Sequence, residues 1–178
     1  MKNNSCVDSQ HVEVLTGEVK TAHDGVLRAS ALGSCIAVVL HDAEIPVGGL
    51  AHVMLPGAAP NAEDGKRTKY AEDGLLELLR NLTSMGARPE RLIACVVGGA
   101  NVLEREDDTI CEANICSVLS LLEEQGLESR ATEVGGTERR SLSVDVGSGC
   151  VSYTVGSSSP MLLWRADRGD QAEGNDNS

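Results

Sequence analysis

The chain has 178 residues, of which 41% are apolar, so it is long enough to bury a core, and its length favours a single domain. Its formal net charge of −12 argues against a nucleic-acid partner and against an anionic membrane surface, because both attract Lys and Arg. Only 2% of the residues are aromatic, so base stacking is disfavoured and the core is expected to be aliphatic.

The sequence predicts a cytoplasmic protein. No segment approaches the roughly 20 apolar residues of a membrane span, and the first residues lack the apolar region of a signal peptide. Without an export signal, the cysteines are expected to be reduced thiols. Cys111 and Cys116 do not have zinc-ligand spacing, so we expect no metal and no cofactor. Direct membrane insertion is likewise not expected.

The first half of the chain predicts a flexible segment at residues 1–11, then strands at 12–19 and 26–30. Two apolar runs follow, 32–40 and 48–56, which predict a β-hairpin. With its turn centred between residues 43 and 44, Cys35 would face His52. Side chains directly opposite in such a pair have Cβ atoms roughly 4.5–5.5 Å apart.

The second half predicts two amphipathic helices and further short strands. The predicted order is a loop at 57–66, a helix at 68–85, a strand at 92–97, a helix at 111–125, a final meander at 131–134, 141–146 and 150–155, a short strand at 161–164, and a disordered acidic tail at 166–178. We therefore expect an α+β fold with a mixed or antiparallel sandwich-like core flanked by two main helices, and one domain over 12–165.

Cys35 and His52 are the candidate nucleophile and base, since an activated thiol needs an imidazole within reach. Gly33 and Ser34 break the backbone just before the strand, where N–H groups could stabilise an oxyanion. Each residue also has a structural interpretation, because free Cys is commonly a buried apolar residue and a lone His in an apolar strand is more often structural. His41 lies about 20 Å from Cys35 along the same strand and is excluded as the base.

Two glycine-containing turns are weaker candidates. The segment that begins with Gly98-Gly99 lacks the Gly-Lys-Ser/Thr ending of a phosphate loop and is better interpreted as a tight turn. Asn101 in that segment could orient a catalytic histidine. The Gly135-Gly136 turn lies close to Arg139-Arg140, for which a substrate role is the second interpretation after turn geometry.

Together these residues resemble the CheD family, the chemoreceptor glutamine deamidases of bacterial chemotaxis. The resemblance rests on Leu32-Gly33-Ser34-Cys35 followed by His52-Val53-Met54-Leu55-Pro56, and it continues through Lys69-Tyr70-Ala71, Gly98-Gly99-Ala100, Asn114, Gly135-Gly136 and Arg140. It covers about residues 12–155, nearly all of the segment expected to be ordered.

The resemblance implies a papain-like cysteine hydrolase site on a scaffold similar to deamidating bacterial toxins. The substrates would be selected glutamines of methyl-accepting chemotaxis receptors, converted to glutamate through a Cys–His thioester with release of ammonia. Cys35 would be the nucleophile and His52 the base, which lowers the thiol pKa. A CheC-type phosphatase is an implied partner, so a monomer or a heterodimer is expected. Tentative contacts with substrate or partner are Gly98, Gly99, Asn101 and Arg140.

The chain departs from the family pattern at two places. The family's third catalytic residue is a Thr a few positions before the cysteine. In the matching stretch, residues 28–31, Ser30 offers the only hydroxyl, whereas an ungapped match places Ala29 at the third catalytic position. At the start of the second helix, Cys111 and Ala113 replace a Gly and an Arg. These departures leave an alternative, a catalytically weak module that docks receptor or CheC, and a more generic cysteine hydrolase is a third interpretation.

Overall fold

The computed structural model describes residues 11–61 and 65–166. The two terminal segments predicted to be flexible therefore lie outside the described residues, apart from His11 and Ala166. The described elements, in order, are β1 His11–Glu13, β2 Val19–Ala22, β3 Val26–Leu32, β4 Ile36–Asp42, β5 Gly48–Val53, α1 Ala71–Ser84, β6 Leu92–Gly98, α2 Ile110–Glu124, β7 Ser129–Val134, β8 Arg140–Asp145, β9 Cys150–Val155 and β10 Met161–Arg165, with short 3-10 turns at Arg67–Lys69 and Pro89–Arg91.

The strands form two five-stranded sheets, ordered β1-β3-β8-β9-β10 and β2-β5-β4-β6-β7. The pairs β1–β3 and β6–β7 are parallel and the other pairs are antiparallel. The sheets are thus mixed, and the two helices complete an α+β fold, which confirms the predicted class.

Two apolar layers hold the fold together, one on each face of the sheet that contains β4. Alternate residues of a strand point to opposite faces, so Ile36, Val38 and Leu40 pack against the helices while Ala37 and Val39 pack against the other sheet. Strands β4 and β6 are buried along their whole length, as expected for central strands covered on both sides.

The predicted helices are confirmed, with boundaries moved by one to three residues. The first begins at Ala71 because its expected first turn is a separate 3-10 turn, and the second runs over Ile110–Glu124. Gly86 and Gly126 follow the two C-termini with positive φ, in the role of C-terminal caps. Neither helix in the described ranges has the length and apolar composition to span a membrane.

The strand predicted at 12–19 is wrong in its continuity. A turn at Thr16 and Gly17 divides it, and the left-handed φ of +76° at Gly17 lets β1 and β2 enter different sheets. The predicted final meander is also wrong in its first strand. β7 pairs in parallel with β6, because the α2 crossover returns the chain to the same sheet, whereas β8, β9 and β10 form the actual meander.

The predicted register of the β4–β5 hairpin is wrong by two residues. Ala37, not Cys35, is paired with His52. The Asp42 carboxylate accepts the N–H groups of Glu44 and Ile45, so the turn is centred one residue later than expected. A shift of two residues preserves the face, and Cys35 therefore still lies on the same side of the sheet as His52, just before the paired region.

Candidate active site

Cys35 and His52 line one cavity of about 330 Å³ at the N-terminal end of β4. Cys35 is partly buried, and His52 is only 5% exposed. The cavity lies between the β1–β2 turn, the segment that joins β3 to β4, and the loops after β6 and before β8. Its lining residues are Thr16, Ser30, Ala31, Gly33, Ser34, Cys35, His52, Ala100, Val102, Leu103, Asp108 and Arg139.

The loop that holds the candidate nucleophile Cys35 (the nucleophile loop, residues 33–35) carries the chain from one sheet to the other and is held through its carbonyl groups. The Gly33 carbonyl accepts the Ala100 N–H at 2.8 Å, and the Cys35 carbonyl accepts the Gly99 N–H at 2.9 Å. The Ser34 carbonyl accepts the Asn114 side-chain amide at 2.8 Å. The N–H groups of Ser34 and Cys35 donate to no group within the described residues.

Two glycines at the end of β6 allow this close contact. Gly98 has a φ of +127°, and a Cβ atom there would collide with the Cys35 carbonyl oxygen. A Cβ at Gly99 would lie 2.6 Å from the side chain of Ile115 on α2. The interpretation of this segment as a tight turn is confirmed, with both glycines at positive φ.

His52 has a defined tautomer in this structure. Its Nδ1 lies 3.0 Å from the Val14 carbonyl oxygen, which can only accept a hydrogen bond. Nδ1 therefore carries the proton, and the Nε2 lone pair is left to act as a base. The N–H and C=O groups of His52 also bond to Glu18 and Gly17, so the β1–β2 segment fixes both the ring and its backbone.

Burial sets the protonation of the resting pair. It raises the pKa of the Cys35 thiol. Burial also lowers the pKa of His52, and this outweighs the opposing effects of the Val14 hydrogen bond and the nearby Glu13 and Glu18 carboxylates. At neutral pH both shifts favour a neutral thiol and a neutral imidazole, contrary to the expectation of a lowered thiol pKa.

Ser30 and Ala29, the two candidates for the third catalytic position, lie in different surroundings. Ser30 lines the cavity and its N–H donates to the Glu13 carboxylate at 2.9 Å. Ala29 is fully buried between the two sheets. The β3–β8 pairing shifts between Ala29 and Leu32, and this irregularity separates the two environments. Because Val14 already engages His52 Nδ1, an orienting role for Ser30 stays a prediction.

The four tentative contact residues surround the site without lining the described cavity. Gly98 and Gly99 support the nucleophile loop from behind. Asn101 bonds twice to the backbone of Arg105 and so shapes its own loop. Arg140 donates to the Gly135 carbonyl and shapes that turn.

Several lining residues were missed in the sequence because nothing in their local pattern indicates a site. Thr16 and Asp108 come from two segments far apart in the chain. Arg139, a candidate substrate residue together with Arg140, does line the cavity and donates to the Ala31 carbonyl at 3.2 Å, beside the nucleophile loop. His41 is buried and bonded to the Val146 carbonyl at the opposite end of β4, consistent with its exclusion as the base.

Comparison with known proteins gives one consistent family. The family model described as CheD chemotactic sensory transduction matches residues 54–154. A probable chemoreceptor glutamine deamidase CheD from Chlorobium luteolum is 43% identical over 159 residues, which cover 88% of this chain and 79% of that protein. The chemoreceptor glutamine deamidase CheD of Thermotoga maritima is 36% identical, over 70% of this chain and 78% of its own. A probable CheD from Methanococcus maripaludis is 33% identical, over 82% and 95%. This chain belongs to the CheD family.

Proposed function

We propose that this protein is a cytoplasmic deamidase that converts selected glutamine side chains of chemotaxis receptors to glutamate. The observation that carries the proposal is the shared cavity of Cys35 and His52, in which the imidazole keeps Nε2 unprotonated. The names of the relatives, chemoreceptor glutamine deamidases, supply the substrate class.

In the first half of the reaction, His52 Nε2 accepts the proton of Cys35 as the sulfur attacks the carboxamide carbon. A neutral pair suits this step, since proton transfer accompanies attack rather than preceding it. The N–H groups of Ser34 and Cys35 are the donors for the oxyanion, and such donors contribute about 3–4 kcal/mol each in other enzymes. The imidazolium then protonates the leaving nitrogen, the C–N bond breaks, and ammonia departs from a thioester.

In the second half, neutral His52 removes a proton from water, and the resulting hydroxide adds to the thioester carbonyl. The same two N–H groups stabilise the second oxyanion. The C–S bond breaks, the imidazolium returns its proton to the sulfur, and glutamate is released. The net reaction consumes one water for each ammonia formed, and the thiol is regenerated without any cofactor.

The surroundings of the cavity support a protein substrate. Leu103, which lines the cavity, is 71% exposed, and Leu15 beside Thr16 is 58% exposed. Met54, two residues after His52, is 44% exposed. Exposed aliphatic side chains grouped at a site are typical of a surface that binds another protein. A CheC-type phosphatase is the second partner we propose, from the family resemblance.

One observation favours a second candidate, a catalytically weak module that docks receptor or CheC. If the ungapped match is correct, the family's third catalytic position is Ala29, which is fully buried and has no hydroxyl to offer. We prefer the deamidase, because Val14 already fixes the His52 ring and Ser30 places a hydroxyl side chain in the cavity.

The test is to incubate the protein with a purified cytoplasmic receptor fragment and to follow the fragment's mass and the ammonia released. Each conversion of an amide to an acid adds about 1 Da through the acyl-enzyme path. The Cys35→Ala variant should give no gain, whereas Cys116→Ala, which removes an exposed thiol on α2, should behave as wild type. Complex formation without any mass change would support the docking module instead.

A further inference from the structure

Asn114 is a buried polar residue for which the reaction scheme above gives no role. It lies on the inner face of α2 with no exposed surface. Its side-chain nitrogen donates to the Ser34 carbonyl at 2.8 Å and to the Met54 carbonyl at 3.0 Å. These carbonyls belong to the residue before Cys35 and to the second residue after His52.

The orientation of the Asn114 amide follows from these two partners. Two carbonyl oxygens can only accept hydrogen bonds, so the NH2 group and not the oxygen faces them. The oxygen is buried and accepts no hydrogen bond within the described ranges. A buried acceptor without a partner is energetically unfavourable, and a purely packing role at this helix position would be better served by an apolar side chain.

The contact with Ser34 also determines where the neighbouring N–H group points. In a trans peptide the C=O and N–H groups point in opposite directions. The Ser34 carbonyl belongs to the same peptide unit as the Cys35 N–H, so holding the carbonyl toward α2 turns that N–H away from α2. The Ala100 N–H does the same for the peptide that carries the Ser34 N–H. These are the two donors proposed for the oxyanion.

We infer that Asn114 is a positioning residue, which orients the Cys35 N–H for the oxyanion and holds the nucleophile loop at a fixed distance from the strand end that carries His52. It touches neither substrate nor reacting atoms. This inference rests on the proposed deamidase function. A single amide that bonds both segments couples the nucleophile to its base, and a hydrogen bond to the Ser34 carbonyl also polarises the peptide and strengthens its N–H as a donor.

Replacement with alanine separates positioning from packing. For Asn114→Ala, kcat on the receptor fragment should fall roughly 10²-fold with KM within about twofold, because the lost interaction matters mainly in the transition state. The matched control is Val118→Ala, a buried position one turn further along α2 that does not line the cavity. It should lower thermal stability and leave kcat nearly unchanged. If Asn114→Ala does not fold, Asn114→Ser, which keeps one donor, should also lose kcat.

A second readout needs no receptor. The rate of Cys35 alkylation by iodoacetamide is followed by peptide mass in wild type and in His52→Gln. The same pair is then compared in proteins that also carry Asn114→Ala, and in proteins that also carry Val118→Ala. The ratio of the Cys35 alkylation rates with His52 intact and with His52→Gln measures the acceleration that His52 provides. We expect this ratio to fall by about fivefold or more with Asn114→Ala and to stay unchanged with Val118→Ala.

The outcomes distinguish the two levels of the argument. Unchanged kcat together with an unchanged His52-dependent alkylation would overturn the role of Asn114 while leaving the deamidase intact. A wild-type protein that releases no ammonia would overturn the proposed function. In that case the alkylation experiment still decides whether Asn114 couples Cys35 to His52.

Discussion

Replacing Asp42 with asparagine should lower the free energy of unfolding by about 3 kcal/mol at neutral pH. Asp42 has no exposed surface. Its Oδ1 accepts the Glu44 and Ile45 N–H groups, while Oδ2 accepts the Arg88 N–H and two bonds from the Arg91 guanidinium at 3.1 and 2.7 Å. The asparagine keeps the shape and one acceptor, but its NH2 group would meet three donors.

The magnitude follows from the burial of this ion pair. Removing one partner of a buried pair costs about 3–5 kcal/mol, and we take the lower end because Arg91 is 18% exposed and can be partly rehydrated. Glu44→Gln is the matched control, since Glu44 bonds to the same guanidinium at 3.0 Å but is 67% exposed. Its loss should cost no more than about 0.5 kcal/mol.

Urea unfolding of the three proteins measures these differences, and pH supplies an independent check. Burial alone would raise the pKa of Asp42, but the N–H groups of Glu44, Arg88 and Ile45 and the Arg91 guanidinium together hold it below its usual value. A lowered native pKa gives stability that is complete above the unfolded pKa of about 3.9 and is lost as pH falls through the native pKa. The difference in the free energy of unfolding between wild type and Asp42→Asn should therefore decrease only below about pH 4.

A difference under about 1 kcal/mol at neutral pH would refute this reasoning, because a buried carboxylate with these partners contributes more. A gap that does not change with pH would also refute it, since the stabilisation would then not come from ionised Asp42. kcat of the folded variant should stay close to wild type, because β4 is also held in register by β6.

Three further predictions concern the site itself. kcat/KM should rise with pH through an ionisation below 6.5, the ordinary pKa of histidine, because burial lowers the pKa of His52 and only the neutral ring accepts the proton. A rise in kcat/KM centred at or above pH 6.5 would contradict the role of His52 as the base. Ala31→Gly should raise stability by up to about 1 kcal/mol in urea unfolding, since Ala31 has a φ of +55°, and a loss of stability would show that this conformation is unstrained. Gly98→Ala should abolish ammonia release, because the added Cβ would displace the Cys35 carbonyl. Gly57→Ala is the control, since Gly57 also has positive φ but no atom lies near its added Cβ, and this variant should remain active. Equal activity in both variants would show that the close approach of Gly98 to the Cys35 carbonyl is not essential.

Periodicity and glycine placement predicted most of the fold. The stripe of Leu75, Leu78 and Leu82 identified α1, and the apolar runs around Val38 and Val96 identified the central strands. These signals are local, because burial of one face or of a whole strand imposes a pattern on a short segment. The fold class, both helices and most of the strands could therefore be predicted from the sequence.

The errors arose where side chains or distant segments decide the structure. The hairpin register depends on the Asp42 hydrogen bonds within its turn, and a count of the residues between the strands does not reveal these bonds. The position of β7 depends on a crossover through α2. Cys35 and His52 nevertheless line one cavity, because an even shift of register leaves both on one face.

The finer parts of the site were inaccessible for a similar reason. Thr16 and Arg139 line the same cavity although they are far apart in the chain, and no local pattern connects them. In the sequence, Asn114 stands out only through the family pattern, and Asn101 is a weak candidate for orienting the catalytic histidine. The structure shows that the Asn101 amide serves its own loop and that the Asn114 amide contacts the nucleophile loop.

The location of the nucleophile loop at the crossing between the two sheets has a consequence for folding. On one side, β3 pairs with β8, so that Ala29 lies beside Leu142, and on the other side β4 pairs with β6. Contacts this far apart in sequence form slowly, because a long loop must close before they are gained. We therefore expect the proposed oxyanion donors and base to come together only after β8 has paired with β3. Deamidase activity in a refolding experiment should therefore appear with the docking of the two sheets.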